Sequence, residues 1–130
     1  MIQFRLDARS GVSTYLQIVH QVRHAVRLGM LRPGDQLPTV KEVVGSLAIN
    51  PNTVLKAYRE LEHDGLVEGR PGVGTFVRES VGGPPPSNHA ALRRGLDRWL
   101  HAAFAAGLDV EDVRALFETS MQDLREEGVA

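Results

Sequence analysis

The chain has 130 residues, which is enough for one ordinary domain or for a small domain with an appended oligomerisation unit. It contains no cysteine, which excludes disulfides, zinc–thiolate sites and cysteine nucleophiles. Residues 1–79 carry ten Lys and Arg against eight Asp and Glu, whereas residues 80–130 carry five against eight. Although the net charge of the whole chain is only −1, residues 1–79 are therefore mildly basic and residues 80–130 are acidic.

Other classes of protein are excluded by what the sequence lacks. No apolar run reaches membrane-spanning length, and Arg5, Asp7 and Arg9 lie where a signal peptide is apolar. No cluster pairs a nucleophile with a base and an orienting group. We therefore expect a cytoplasmic protein that has no membrane partner, uses no cofactor and is not an enzyme.

The first predicted helix runs from about Thr14 to Leu28. Thr14 is predicted to cap it, and Gly29 to end it in the left-handed conformation. His20 and His24 have the spacing of two metal ligands, but no third ligand is evident, so we interpret them as a surface pair and expect no metal site. The three- and four-residue spacing predicts a buried face. Its members are Leu16, Val19, Val22 and Val26.

A turn at residues 33–35 leads to the second predicted helix. This helix begins at Thr39, which forms a capping box with Glu42. Its buried stripe is predicted to consist of Val43, Val44 and Leu47. The short helix is therefore expected to pack on one side and to expose the other.

The third predicted helix starts at Asn50, a capping residue, followed by Pro51 at the first helical position. Asp64 and Gly65 are predicted to end it. The inward face is predicted to be Val54, Ala57, Tyr58 and Leu61. At 100° per residue, the opposite face collects Asn52, Lys56, Arg59 and His63. This outer row is polar, positive and long enough to reach a partner.

Two short strand candidates, residues 66–68 and 75–77, flank a glycine-rich loop at 69–74 and predict a hairpin. Two short helices joined by a turn and followed by a hairpin describe a winged helix-turn-helix, a shape that places one helix in a DNA groove. We therefore predict a mainly α fold, with a winged helix-turn-helix DNA-binding domain over residues 1–79.

A Gly- and Pro-rich stretch at residues 80–88 is predicted to be a linker. It leads to a short C-terminal helical hairpin over residues 89–130, whose second helix is capped by Asp109. Two helices share too little core to be stable alone, so we predict that their apolar faces form a homodimer. The predicted dimerisation residues are Leu92, Leu96, Trp99, Leu100, Phe104, Val113, Phe117, Met121 and Leu124.

Several of these segments resemble the GntR family of bacterial transcription regulators over about residues 10–78. They are residues 15–18 (YLQI), 33–38 (PGDQLP), 50–54 (NPNTV), 57–58 (AY) and 74–77 (GTFV). The short tail is similar to the YtrA-type branch, because about fifty residues cannot form a large ligand-binding or aminotransferase-like domain. The resemblance implies a sequence-specific regulator that binds double-stranded DNA, with a transporter operon as its expected target. Because the two-fold symmetry of a homodimer matches a palindromic site, we expect a repressor that binds an inverted repeat.

The resemblance also implies which residues contact DNA. Lys41 stands where the family has an arginine and keeps its charge without the two-pronged geometry. The Asn50-Pro51-Asn52 start replaces a Ser-Arg pair and shifts expected base reading toward Asn52 and Thr53, with Lys56 as a further candidate. The predicted DNA-binding residues are Thr39, Lys41, Asn50, Asn52, Thr53, Lys56, Arg59, Arg70, Gly72 and Gly74.

Three alternatives compete with this interpretation. The outer row of the third helix could be an ordinary solvated surface. The winged fold could be a protein-interaction module whose back half recruits a partner. A regulator could also respond to a small effector, of unknown identity, bound near Trp99 and Phe117, although a core or dimer interface is the favoured role of these rings.

Overall fold

In a computed structural model, residues 2–79 and 89–128 are described. Five helices and a two-stranded sheet occur in the order α1 Thr14–Arg27, α2 Val40–Leu47, α3 Pro51–His63, β1 Val67–Arg70, β2 Gly74–Val77, α4 His89–Ala105 and α5 Val110–Glu126. The mainly α fold with a winged helix-turn-helix and a helical hairpin is therefore confirmed. The chain divides into two compact units, Met1–Pro86 and Ser87–Ala130. The predicted linker at 80–88 lies outside the described residues.

The core of the first unit is formed where α3 packs on α1, α2 and β1. Of the predicted face of α1, Val19 and Val22 are buried, but Leu16 and Val26 are only half-buried. Ile18 and Ala25 are buried instead. The face is rotated because the chain after α1 folds back over Ala25, whose carbonyl accepts from the amides of Met30 and Leu31. The predicted inward face of α3 is fully confirmed.

The start of α1 also differs from the prediction. Ser13, not Thr14, occupies the cap position, and its side chain makes no capping bond. The preceding segment is held by glutamines on α1 instead. The Gln21 amide exchanges hydrogen bonds of 2.9 and 2.7 Å with the backbone of Arg5, and the Gln17 amide bonds the backbone of Asp7. These side chains satisfy backbone groups that would otherwise need a strand partner.

The starts of α2 and α3 are set by side-chain caps, as predicted. The Thr39 hydroxyl accepts from the Glu42 amide at 3.1 Å, and the Glu42 carboxylate accepts from the Thr39 amide at 3.2 Å. Asn50 Oδ1 accepts from the Asn52 amide at 2.8 Å, with Pro51 at the first helical position. Of the predicted α2 stripe, Val43 is buried, whereas Val44 and Leu47 are only half-buried.

Tyr58 joins α3 to the segment before α2. Its buried hydroxyl donates to the Pro38 carbonyl at 2.6 Å. Burial, with a smaller contribution from the Glu42 carboxylate, raises the pKa of the Tyr58 hydroxyl far above its ordinary value of 10.0. The neutral form is therefore the one that the fold accommodates.

We expect Tyr58→Phe to lower the free energy of unfolding by about 1–2 kcal/mol at neutral pH, because it leaves the Pro38 carbonyl without its buried donor. Above pH 10 the unfolded chain ionises while the native hydroxyl stays protonated, so stability falls as pH rises. This alkaline loss should be smaller in the variant. Urea unfolding at pH 7 and pH 11 measures both effects, and equal pH dependence in the two proteins would contradict the assignment.

The wing consists of three paired segments of the chain and not only of the two strands of a hairpin. β1 and β2 pair antiparallel with Val67 opposite Val77. The strands extend beyond the predicted 66–68 and 75–77, because pairing continues to Arg70 opposite Gly74. The segment 34–37, which overlaps the turn predicted at 33–35, pairs with the other edge of β2 through Leu37–Thr75 and Asp35–Val77 backbone bonds of 2.8 Å each. This pairing fixes the wing to the start of the helix-turn-helix.

The second unit is the α4–α5 hairpin. Gly107, with a φ of +97°, lies between the two helices, and Asp109 forms the predicted cap, as a capping box with Asp112. The Trp99 and Phe117 rings contact each other, with centroids 5.2 Å apart. Within the described residues no helix is long and apolar enough to cross a membrane. Most large apolar side chains of this unit remain exposed.

Candidate nucleic-acid interface

The outer face of α3 is the centre of the candidate interface. Asn52, Lys56 and Arg59 are all exposed on it, as is His63 at its end. Thr53 is half-buried at the edge of this face. The fold therefore brings the predicted row of α3 together on one accessible surface, which has the polarity of a recognition helix.

Exposed residues also occur at the starts of α2 and α3, the two helices of the helix-turn-helix. Lys41 is exposed in the first turn of α2. The Thr39 hydroxyl oxygen is engaged in the capping box, but its proton remains available for an acceptor such as phosphate. Asn50 uses its side-chain oxygen to cap α3, which leaves only its NH2 group for DNA.

Two predicted cations have partners that the sequence pattern did not reveal. The Lys56 ammonium lies 4.0 Å from the centroid of the Tyr15 ring on α1. The Arg70 guanidinium bonds the Glu68 carboxylate at 2.8 Å and stacks 4.3 Å from the centroid of the Phe76 ring. Arg70 is thus held flat on the wing, and a phosphate must compete with Glu68 for it.

The two wing glycines serve different purposes. Gly72 has a φ of +74° at the hairpin turn, and a Cβ there would meet open space. Gly74 has a φ of +146°, and a Cβ there would lie 2.5 Å from Gln36 Nε2. Gln36 in turn donates to the Val73 carbonyl at 3.4 Å. Gly74 is therefore explained by packing within the wing, whereas Gly72 leaves the tip free to approach a backbone.

We expect Gly74→Ala to lower the free energy of unfolding by about 1–3 kcal/mol, since alanine is strained at this φ and crowds Gln36. Gly72→Ala is the matched control, with a cost of about 1 kcal/mol because only its φ is unfavourable. Urea unfolding of the two variants measures the difference. Equal losses would show that the Gln36 contact does not constrain the wing.

His20 and His24 stack on the surface of α1 with ring centroids 6.4 Å apart. In residues 2–79 and 89–128 no group of three or more potential ligands is arranged to hold a metal ion. The candidate interface consists of α3, the start of α2 and the wing.

The amino-acid sequence that forms these helices and the wing is similar to the sequences of known proteins. Residues 14–77 match the profile of the bacterial regulatory proteins of the gntR family. Over 108 residues the chain is 38% identical to the HTH-type transcriptional regulator Rv1152 of Mycobacterium tuberculosis, covering 83% of this chain and 85% of that protein. The chain belongs to the GntR family of bacterial transcription regulators. It is therefore a DNA-binding regulator, and the relatives that it matches are named as transcription regulators and not as enzymes.

Two further similarities concern the branch and the fold within the GntR family. The chain is 44% identical over 81 residues to the HTH-type transcriptional repressor YtrA of Bacillus subtilis. That match covers 62% of this chain and 61% of YtrA, which is less than two thirds of the relative's length. A solved transcriptional antiterminator from Listeria monocytogenes EGD-e has the same fold, with a TM-score of 0.60, 28% identity and coverage of 95% and 92% of the two chains.

Proposed function

We propose that this GntR-family regulator is a homodimeric repressor that binds an inverted-repeat operator. The observation that carries the proposal is the uncovered apolar surface of the α4–α5 hairpin. Leu92 is 68% exposed, Met121 52% and Phe104 48%. Leu96, Trp99, Leu116, Phe117 and Leu124 are also exposed. A concentration of exposed large apolar side chains on one helical hairpin is typical of a protein–protein interface.

A second copy of the chain is the occupant that fits this surface best. Among the apolar residues at positions 89–128, only Ala103 and Val113 are buried. Val113 therefore packs inside the hairpin and is removed from the predicted dimerisation set, and Leu100 is half-buried. The remaining residues form a face on both helices. A self-complementary face produces a two-fold dimer, the commonest symmetry of protein assemblies.

Two-fold symmetry determines the form of the DNA site. Each protomer presents one α3 and one wing, so the pair of winged units matches two inverted half-sites. We assign Thr39, Lys41 and Arg59 to phosphates, together with Arg70 once Glu68 is displaced. Asn52 is assigned to a paired contact with adenine, and Thr53 to a thymine methyl. The backbone at Gly72 is assigned to the minor groove or its phosphates.

The sign of regulation and the target genes are proposed from the relatives. Bacillus subtilis YtrA is named a transcriptional repressor. The transporter operon is the target that the YtrA-type resemblance of the sequence implies. A dimer that covers a promoter blocks transcription without further machinery. We therefore propose that the protein represses a transporter operon from the cytoplasm. Transcript levels of neighbouring genes should rise when the gene is deleted, and unchanged or lower levels would contradict repression.

DNA binding is tested with the sequence upstream of the protein's own gene. Fluorescence anisotropy at several salt concentrations should give a complex that prefers this sequence over a mixed-sequence duplex of equal length. Its affinity should fall steeply with salt, because phosphate contacts release counterions. Absence of any salt-sensitive, sequence-preferring complex with this fragment would contradict the proposed site.

A further inference from the structure

The Lys56–Tyr15 contact joins the outer face of α3 to the first turn of α1. Lys56 is exposed, whereas Tyr15 is half-buried and packs against the core. Within residues 2–79 and 89–128 no carboxylate is paired with Lys56. An ammonium this close to a ring centroid is attracted by the negative face of the π system. The ring therefore holds a cation that no described anion neutralises.

A second contact shows how α1 and α3 are aligned. Arg23 on α1 forms an ion pair with Asp64, the C-cap residue that follows α3. Arg23 and Asp64 are 41 positions apart in the sequence, and Tyr15 and Lys56 are separated by the same number. The two pairs lie about 12 Å apart along the helix axis, at 1.5 Å per residue. The two helices thus run side by side in one direction, and α1 contacts α3 near its middle, at Lys56, and just after its end, at Asp64.

This alignment determines the side of α3 on which the Lys56 ammonium lies. Lys56 is four positions after Asn52, about 40° further round the helix. Its contact with Tyr15 draws the ammonium toward the flank that packs against α1. When a helix lies in the major groove, its outermost line meets base edges and its flanks meet the sugar–phosphate walls.

We propose that Tyr15 is a positioning residue for DNA binding, which holds the Lys56 ammonium at the flank of α3 for contact with a phosphate. The proposal rests on the proposed function, in which the outer face of α3 meets DNA. The ring covers one side of the ammonium and leaves donors for a phosphate oxygen. Holding a long side chain in place before binding also removes part of the rotamer entropy that binding costs.

The contact itself is tested on the protein without DNA. NMR of the free protein should show the Lys56 ε-methylene protons shifted upfield by the ring current of Tyr15. The shift should persist in Tyr15→Phe, which keeps the ring, and disappear in Tyr15→Leu. Protons at an ordinary position in the wild-type protein, or an upfield shift that survives Tyr15→Leu, would overturn the proposal.

The positioning role is tested by a double-mutant cycle on the upstream fragment and on a mixed-sequence duplex of equal length. Lys56→Met should weaken binding to both duplexes equally and reduce the salt slope by about 0.9 per bound chain. Tyr15→Leu should weaken binding about two- to fivefold per bound chain when Lys56 is present. It should have no further effect in the Lys56→Met background, and Tyr15→Phe should retain wild-type affinity.

The possible outcomes separate this proposal from the proposed function. Additive losses in the cycle would show that Tyr15 acts through the fold and not through Lys56. A loss of preference at one base pair in Lys56→Met, with an unchanged salt slope, would make Lys56 a base-reading residue. Either result overturns the proposal. Failure of the wild-type protein to bind either duplex refutes the proposed function instead, while the NMR contact stands.

Discussion

Introducing carboxylates at Leu92 and Met121 should convert the protein to monomers and lower its affinity for operator DNA about 10²- to 10⁴-fold, the range that linking two binding modules contributes. Leu92→Glu and Met121→Glu change two strongly exposed side chains, so the hairpin itself should still form. At a symmetric interface each substitution occurs twice, and each buries a charge without a partner. Sedimentation equilibrium and anisotropy measure the two effects.

The matched control for this variant is Gln122→Glu, which adds a carboxylate at an exposed polar position next to Met121. It should leave both the dimer and the DNA affinity unchanged. Circular dichroism should show the same helix content in all these proteins, because the Asp109–Asp112 capping box is untouched. A double variant that stays dimeric, or that binds operator as tightly as the wild type, would refute the assignment of this surface.

Asn52→Ala should remove the preference for one A·T pair in each half-site. A paired amide contact to adenine contributes about 1–3 kcal/mol of discrimination, and a dimer makes it twice. The start of α3 should be preserved, because Asn50 caps the backbone amide of residue 52 and not its side chain. Affinities for a panel of duplexes, each with one base pair changed, measure the effect.

His63→Ala is the matched control for this change, since His63 lies on the same face near the end of α3. It should leave the base preferences of the protein unaltered. An Asn52→Ala protein that binds every duplex more weakly by the same factor would show that Asn52 contacts the phosphate backbone. An unchanged preference at every position would remove Asn52 from the interface.

Features set by neighbouring residues were predictable from the sequence. The Thr39–Glu42 capping box and the Asn50 cap each form within four residues, so the side chains alone specify them. The face of α3 follows from helical geometry in the same way. Its strong alternation of apolar and polar positions leaves one orientation in which the core is filled.

Features made by distant segments were not predictable. The pairing of residues 34–37 with β2 joins positions about forty residues apart, and a PGDQ segment by itself indicates only a turn. The buried face of α1 was predicted with two wrong members, because the turn that covers Ala25 depends on where the chain goes after the helix. Local patterns carry no information about such partners.

The same difference between features set by neighbouring residues and features made by distant segments applies to the candidate interface. The exposure of Asn52, Lys56 and Arg59 follows from their spacing on α3. The partners of Lys56 and Arg70, however, are aromatic rings on α1 and β2. A periodicity in one helix cannot reveal a ring on another element, so the sequence identified the charges without showing how they are held.

The central claim is that two winged units of a dimer contact two inverted half-sites. Hydroxyl-radical footprinting of the region upstream of the gene tests it most directly. We predict two protected segments of related sequence in inverted orientation, with centres separated by about 10–10.5 base pairs or a multiple of that spacing. A single protected segment, or two in the same orientation, would contradict it.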